Sequence, residues 1–213
     1  MQSSNASRKS GARAAVLSVA AVLAAVFVLI GWFVCFPLFV MPSASMEKTL
    51  LVGDHIIVNR IGTLLGRQPQ RGDVMAFRFP PNPREDYLKR IVGIPGDRLR
   101  MRDKRLYRNG VEVQEPYVQH VSTFIDAYRD NFPSGEAPAI GPSGMERAAE
   151  MIEHHVHDGE LVVPEGKYFV MGDNRDDSLD SRYWGFIQRS DMIGRPILVY
   201  GSPDASRIGK AVK

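Results

Sequence analysis

An uncharged apolar segment near the start of the chain is the feature that most limits what this protein can fold into. No residue between positions 14 and 41 carries a charge, and most side chains there are apolar. About 20 such residues, each rising about 1.5 Å in a helix, are enough to cross roughly 30 Å of hydrocarbon. A cleaved signal peptide is the alternative, but its apolar region usually spans only about 7–15 residues before a small-residue cleavage site. The length of this segment and its bulky end at Trp32, Phe33 and Phe36 therefore favour a retained transmembrane anchor over residues 14–41.

The basic excess of the chain is confined to the tail at residues 1–13. Arg8, Lys9 and Arg13 precede the apolar segment, and no acidic residue lies before Glu47. Removing these three from the 27 lysines and arginines leaves 24, which equals the number of aspartates and glutamates. The net charge of +3 is therefore a property of the tail and does not indicate a nucleic-acid partner. By the positive-inside rule, the tail stays in the cytoplasm and the following domain lies across the membrane.

The rest of the chain has the pattern of a mainly β domain, with short strands separated by turns. β-branched and aromatic runs are bounded by glycine, proline, asparagine or aspartate, as strands usually are. An Asn109-Gly110 pair within 105–113 predicts a hairpin. Further strands are predicted at 54–59, 73–79, 87–93, 160–163, 167–171 and 193–200.

One region interrupts this pattern. Residues 119–159 are rich in proline and glycine and contain a short helical candidate at 145–152. We interpret them as an insertion or small subdomain. The main β domain is then formed by 42–118 and 160–202, and residues 203–213 are predicted to be a flexible C-terminal tail.

Two serines directly after the apolar segment, Ser43 and Ser45, are placed to meet substrates that are also held at a membrane. A serine hydroxyl needs a base to become a nucleophile. Three of the five histidines, His154, His155 and His157, fall in the irregular region. Their spacing matches no metal-ligand motif, and no histidine comes with an evident Ser-His-Asp pattern. A histidine base is therefore unsupported.

Lys89 is the better candidate for the base. Strand alternation places it on one face with Tyr87 and Ile91. If that face is buried, desolvation lowers the pKa of the amine from about 10.4 toward neutrality, so that it could accept the Ser45 proton. A solvent-exposed Lys89 stays open as the alternative, because lysine is seldom buried. Ser45 and Lys48 also match the S-x-x-K pattern of penicillin-binding proteins, but the S-D-N and K-T-G partner motifs are absent.

Four segments share their order and spacing with one known family. They are residues 42–50, with Pro42-Ser43-Ala44-Ser45-Met46 and Thr49-Leu50, the Arg-Gly-Asp-Val of 71–74, the Tyr-Leu-Lys-Arg-Ile-Val-Gly-Ile-Pro-Gly-Asp of 87–97, and the Gly-Asp-Asn-Arg-led run of 172–185. Together they resemble bacterial type I signal peptidases, the membrane-anchored serine–lysine endopeptidases that remove signal peptides. The resemblance implies an antiparallel β catalytic domain behind one N-terminal transmembrane helix, and it implies no metal or organic cofactor.

The same resemblance implies roles for individual residues. Ser45 would be the nucleophile and Lys89 the general base. The Ser43 hydroxyl and the Ser45 backbone N–H would form the oxyanion hole. In the loop at 172–185, Ser178 would hydrogen-bond and orient the Lys89 amine, Asp180 and Arg182 would pair to hold the loop, and Asp173 and Arg175 would be structural. Lys48 stands where the family often has proline.

Substrates, partners and location also follow as expectations from the resemblance. The substrates would be signal-peptide-bearing preproteins, with the lipid bilayer and the nearby secretion translocon as surroundings. The protein would span the bacterial inner (cytoplasmic) membrane once, with its catalytic domain on the outer, periplasmic or extracytoplasmic, face. Shallow substrate pockets are expected along the strands that carry Leu88, Ile91 and residues 56–58. A specialised processing peptidase of the same family, for example one that matures pilins, and a non-catalytic membrane-tethered β domain remain as alternatives.

Overall fold

The computed structural model describes residues 3–134 and 141–213, and the chain divides into two compact units, Met1–Pro37 and Leu38–Lys213. The first unit contains helix α1 (Ser3–Cys35). Its segment Leu17–Cys35 has a mean hydropathy of 2.6 and is long and apolar enough to cross a membrane. None of that segment is buried inside the protein, so its apolar side chains need another apolar environment.

The helix ends earlier than the predicted anchor, which extended to residue 41. Pro37 lacks a backbone N–H and disfavours helical geometry at the residue before it, so a helix ends at or before that residue. After Pro37 the chain enters a strand, Leu38–Val40. The apolar helix therefore ends at Cys35, six residues before the predicted end of the anchor.

The second unit is built from two antiparallel sheets. The strands are β1 (Leu38–Val40), β2 (His55–Asn59), β3 (Val74–Arg78), β4 (Asp86–Gly93), β5 (Arg98–Arg102), β6 (Arg105–Arg108), β7 (Val111–Glu112), β8 (Val156–His157), β9 (Glu160–Val162), β10 (Lys167–Met171), β11 (Ile187–Gln188) and β12 (Met192–Gly201). In the described residues, the first sheet has the strand order β1-β2-β12-β3-β4-β10-β11 and the second the order β7-β6-β5-β9-β8. Helices α2 (Ile61–Leu64), α3 (Gly141–His155) and α4 (Ser181–Trp184) and three short 3₁₀ turns (Ala44–Met46, Arg189–Asp191 and Ala205–Arg207) complete the unit. The mainly β class is confirmed.

Most predicted strands occur close to their predicted bounds, and the hairpin at Asn109-Gly110 is confirmed. Asn109 and Gly110 both have positive φ, at 53° and 79°, the geometry that a two-residue hairpin turn requires. The strands absent from the prediction are β1, β5, β8 and β11.

Strand β4 lies between β3 and β10 and is covered on both faces. Leu88, Ile91 and Val92 belong to three different hydrophobic clusters. Every residue of β4 from Leu88 to Gly93 is consequently buried, and the functional groups on this strand are shielded from bulk water.

The region at 119–159 packs into the main core. Tyr128 and Phe132, together with Met151 of α3, are buried in the same cluster as Phe169 of β10. Among its described residues, 119–134 and 141–159, this region belongs to the same compact unit as the sheets.

The last residues are bound to the domain, which corrects the predicted flexible tail at 203–213. Gly209 N–H donates to the Val199 carbonyl at 2.8 Å, and Val212 packs against a hydrophobic cluster. Arg207 forms an ion pair of 2.6 Å with the fully buried Asp54. A buried carboxylate without this partner would be costly, so the pair holds the segment in place.

Candidate active site

The structure brings Ser45 and Lys89 together, although 44 residues separate them in the chain. The Lys89 Nζ lies 2.6 Å from the Ser45 Oγ. Both residues are buried, with 5% of Ser45 and 4% of Lys89 exposed. A hydroxyl and an amine at this distance are in position for direct proton transfer.

The turn that carries Ser45 is held between fixed points. Met46 and Leu50 are fully buried in the core, and Leu50 N–H donates to the Met46 carbonyl at 2.8 Å. Met41 exchanges two backbone hydrogen bonds with residues 53 and 54, so the loop at 42–52 is closed at its base. Within this loop the chain forms the short 3₁₀ turn at Ala44–Met46.

Lys48 does not reach Ser45 as the S-x-x-K geometry would require. The 3₁₀ turn ends at Met46, and the Lys48 Nζ donates to the Val118 carbonyl at 3.1 Å. The pairing of Ser45 with Lys48 is thereby excluded.

Ser43 provides a second hydroxyl beside the first. Its Oγ lies 3.2 Å from the Ser45 Oγ. Ser43 also precedes the 3₁₀ turn, but its side chain makes no capping hydrogen bond to that turn. The Ser43 hydroxyl is therefore not used as a helix cap and lies next to the Ser45 hydroxyl.

The environment of Lys89 makes the neutral amine easier to form than it is for a lysine in water. Burial lowers the pKa of Lys89 to about 8, and the neighbouring charges of Asp180 and Arg182 act in opposite directions on it. When the pH equals this pKa of about 8, about half of the molecules carry a neutral Lys89 amine. The alternative of a solvent-exposed Lys89 is wrong, because β4 is covered on both faces.

Asp180 is the central acceptor of the loop after β10. It forms an ion pair of 2.8 Å with Arg182, and both side chains are fully buried. Its Oδ2 also accepts from Gly172 N–H at 3.1 Å and from the Ser178 hydroxyl at 2.8 Å. Although burial alone would raise it, the Arg182 charge and these hydrogen bonds hold the pKa of Asp180 below its usual value.

Ser178 lies beside the Ser45 backbone and bonds Asp180. A side chain added at Gly172 would collide with both the Ser178 hydroxyl and the Ser45 carbonyl oxygen. In the described residues, the Ser178 hydroxyl donates to Asp180 and makes no hydrogen bond to Lys89. The direct contact from Ser178 to the amine stays a prediction.

Two further ion pairs hold this loop to the rest of the domain. Arg90 donates to Asp173 through two nitrogens, at 2.8 and 2.6 Å, and both side chains are almost fully buried. Arg175 donates to Glu115 at 2.6 Å. No role was predicted for Arg90 or Glu115 from their positions in the sequence. Arg90 follows Lys89 on β4, and strand alternation, which directs the two side chains to opposite faces, was the one signal for it.

A cleft of about 440 Å³ opens beside the two serines and Lys89. Leu88 lines it as expected, but Ile56, Val58 and Ile91 are fully buried in the core and do not line it, so this expectation is corrected. The lining residues are Phe39, Val40, Met41, Pro42, Ser43, Ala44, Ser45, Glu85, Asp86, Tyr87, Leu88, Lys89, Asp177 and Leu179.

No group of three or more metal-binding side chains is assembled within residues 3–134 and 141–213. His154 and His155 are the last residues of α3, and His157 lies in β8. The ring of His155 packs edge-on against Phe186.

Comparison with known proteins shows that the sequence of the chain is similar to that of one family. Residues 13–201 match the family model described as signal peptidase, peptidase S26. The chain is 37% identical to the signal peptidase I of Pseudomonas fluorescens over 205 residues, covering 80% of this chain and 70% of that protein. It is 35% identical over 193 residues to the signal peptidase I of Aquifex aeolicus, covering 77% and 75% of the two chains. It is 31% identical over 182 residues to the signal peptidase IB of Staphylococcus aureus (strain Mu50), covering 84% of each.

Among solved structures, a crystal structure of a signal peptidase I from Enterococcus faecalis V583 is also similar. It is 36% identical in sequence and covers 60% of this chain and 96% of that chain, with a TM-score of 0.44. The family assignment is based on the sequence matches alone.

Proposed function

The chain belongs to the signal peptidase family, peptidase S26, and we propose that Ser45 and Lys89 are the catalytic dyad with which it removes signal peptides. It is a serine endopeptidase of that family. The observation that carries the dyad is the buried contact of 2.6 Å between the Lys89 Nζ and the Ser45 Oγ. A serine needs an adjacent base, and Lys89 Nζ is the nitrogen base within reach of this hydroxyl.

In the proposed reaction, Ser45 attacks the carbonyl carbon of a small residue at the cleavage site of the preprotein, and the amine of the next residue is the leaving group. The neutral Lys89 amine takes the Ser45 proton as the bond forms, and the resulting ammonium gives it to the leaving amine. A water molecule then hydrolyses the acyl-enzyme, with Lys89 again acting as the base. The lowered pKa of Lys89 supports this proposal, since a base must be unprotonated to act.

The Ser43 hydroxyl and the Ser45 backbone N–H are the proposed oxyanion hole. The carbonyl oxygen becomes negative during the attack, and two aimed donors stabilise that charge. The position of the Ser43 Oγ, 3.2 Å from the nucleophile, supports this role.

The loop after β10 is proposed to support the amine. Ser178 orients Lys89, while Asp180 and Arg182 hold the loop by their buried pair. The hydrogen bond from Ser178 to Asp180 and the electrostatic effect of Asp180 on Lys89 favour this arrangement. Asp173 and Arg175 are proposed as structural residues, since each pairs with a residue outside the loop.

The proposed substrate is a signal-peptide-bearing preprotein in an extended conformation, bound in the cleft beside Ser45. The proposed site of action is the outer face of the bacterial inner membrane, near the secretion translocon. A single span with the N-terminus in the cytoplasm fits the apolar segment Leu17–Cys35 and the basic residues before it.

The test is the cleavage of a general secretory preprotein by the full-length protein in lipid vesicles. We expect Ser45→Ala and Lys89→Ala each to abolish cleavage while the circular dichroism spectrum stays that of the wild type. Lys48→Ala is the matched control: it removes a nearby lysine that bonds the Val118 carbonyl, and we expect cleavage to continue. Normal cleavage by both dyad variants would contradict the proposal. If the wild type cleaved only pilin precursors, a specialised peptidase would be indicated instead.

A further inference from the structure

Asn174 is a buried residue that contacts the peptide groups on both sides of Ser45. Its backbone N–H donates to the Ser45 carbonyl at 3.1 Å. Its side-chain Nδ2 donates to the Ala44 carbonyl at 3.3 Å. The residue is only 2% exposed, so its own polar atoms are largely shielded from bulk water.

The second of these bonds bears directly on the Ser45 N–H. The Ala44 carbonyl and the Ser45 N–H belong to one planar peptide unit and point in opposite directions. A donor that fixes the carbonyl therefore also fixes the direction of the N–H. The Ala44 carbonyl accepts a further bond from Glu47 N–H at 3.0 Å, and two donors on one carbonyl polarise the peptide unit and strengthen its N–H as a donor.

Asn174 is itself held rigidly. Gln119 forms an isolated bridge with it, in which Gln119 N–H donates to the Asp173 carbonyl and Arg175 N–H donates to the Gln119 carbonyl. On its other side, Gly172 leaves no room for a side chain between Ser178 and the Ser45 carbonyl. The loop thus holds the side-chain amide of Asn174 in a fixed position next to the serine turn, the 3₁₀ turn at Ala44–Met46.

The side chain of Asn174 is not optimised for stability. Its Oδ1 is buried and has no hydrogen-bond partner among the described residues. A buried acceptor without a partner costs free energy, so an apolar side chain of the same shape would be expected to suit the fold at least as well. The Nδ2, in contrast, donates to the Ala44 carbonyl, so it is the polar atom of this side chain that can act on the turn at Ala44–Met46.

We infer that Asn174 is a positioning residue for the oxyanion hole, which orients the Ser45 N–H through the Ala44 carbonyl. This inference rests on the proposed function, because it assumes that the Ser45 N–H faces the developing oxyanion. Asn174 touches no reacting atom and acts through the peptide unit before the nucleophile. Removing the side-chain amide of Asn174 should weaken stabilisation of the transition state more than it weakens substrate binding.

The test compares Asn174→Leu and Asn174→Ala with the wild type in preprotein cleavage. Leucine keeps the branched shape of asparagine and removes both the Nδ2 donor and the unpartnered Oδ1. We expect kcat to fall about 10- to 100-fold, because removing an oxyanion donor costs about 10²–10³ in kcat and a donor that is only misdirected should cost less. We expect KM to change by less than about threefold, since ground-state contacts are retained. The thermal midpoint of Asn174→Leu should equal or exceed that of the wild type.

A peptide aldehyde ending in alanine provides a second readout. The Ser45 oxygen adds to the aldehyde carbon and its proton passes to the Lys89 amine, while the former carbonyl oxygen takes the negative charge in the oxyanion position. The inhibition constant of the aldehyde should rise in the Asn174 variants by about the same factor as kcat/KM falls. Asn131→Ala, which removes a remote asparagine bonded to Asp103 N–H, is the control and should leave both quantities unchanged.

Each outcome separates this inference from the proposed function. If the Asn174 variants kept kcat and aldehyde affinity within about twofold while Ser45→Ala and Lys89→Ala were inactive, only the inference would be overturned. If Asn174→Leu unfolded, the residue would be structural and the inference would also fail. Activity retained in the dyad variants would instead overturn the proposed function.

Discussion

Replacing Lys89 with methionine should stabilise the folded protein near neutral pH while abolishing its activity. Methionine is close to lysine in length and carries no charge. Ser45 would keep Ser43 as a hydrogen-bond partner, at 3.2 Å, so no new unpaired hydroxyl would be buried. The stability gain would come from removing the desolvation cost of the buried ammonium group that Lys89 carries on β4.

The structure sets the size of this gain through the pKa of Lys89. Burial is the largest cause of its fall from 10.5 to about 8, and one pKa unit corresponds to about 1.36 kcal/mol. Charged Lys89 therefore destabilises the fold by about 3 kcal/mol. Between pH 8 and 10.5 the unfolded chain binds a proton at Lys89 that the folded chain has lost, so wild-type stability rises with pH across this window. Below pH 8 the full cost is present, and above about 10.5 it has disappeared.

The assay is urea unfolding of the full-length wild type and Lys89→Met in detergent micelles, followed by β-sheet circular dichroism. The difference in unfolding free energy between the two proteins should be about 3 kcal/mol larger in favour of methionine at pH 7 than near pH 10.5. Other titrating groups are common to both proteins and cancel in this difference. A difference that stays constant with pH would refute the reasoning, because the pKa of Lys89 would then be close to its ordinary value.

Two further predictions concern catalysis and the support of the amine. The kcat/KM for preprotein cleavage should rise with pH to a midpoint near 8, because burial of Lys89 lowers its pKa to that value and only the neutral amine accepts a proton; a maximum in acid would contradict the dyad. Asp180→Asn should destabilise the domain by about 3–5 kcal/mol in chemical unfolding, because Arg182 would lose its buried partner. The same variant should move the midpoint of the pH profile to lower pH, since the Asp180 charge raises the pKa of Lys89; a shift to higher pH would argue against that coupling.

The sequence predicted most of the longer strands and the contact partners Ser45 and Lys89, which the structure brings together, but it left the burial of Lys89 open. Alternation within β4 grouped Lys89 with Tyr87 and Ile91, but alternation cannot reveal that a strand is covered on both faces. That depends on pairing with β10, which is distant in the chain, and on the three hydrophobic clusters that pack against the strand. For the same reason Ile91 was expected in the cleft and is found in the core.

The short strands and the partners of individual side chains could not be predicted from the sequence. Strands β1 and β11 have only three and two residues, too few for an alternating pattern to be visible. The segment after residue 203 has the composition of a loose tail, and its position is fixed by Arg207 meeting Asp54, a contact between distant parts of the chain. Asn174 lay inside a recognised motif, but its two bonds to the serine turn depend on three-dimensional packing.

The most direct test of the central claim is to locate the acyl group formed during cleavage. A peptide ester with alanine before the scissile bond would be mixed with the full-length protein and quenched in acid, which protonates Lys89 and halts hydrolysis. Peptide mapping by mass spectrometry should then find the acyl group on Ser45 in the wild type and nowhere in Ser45→Ala or Lys89→Ala. An acyl group on another residue, or equal labelling of Lys89→Ala, would contradict the account.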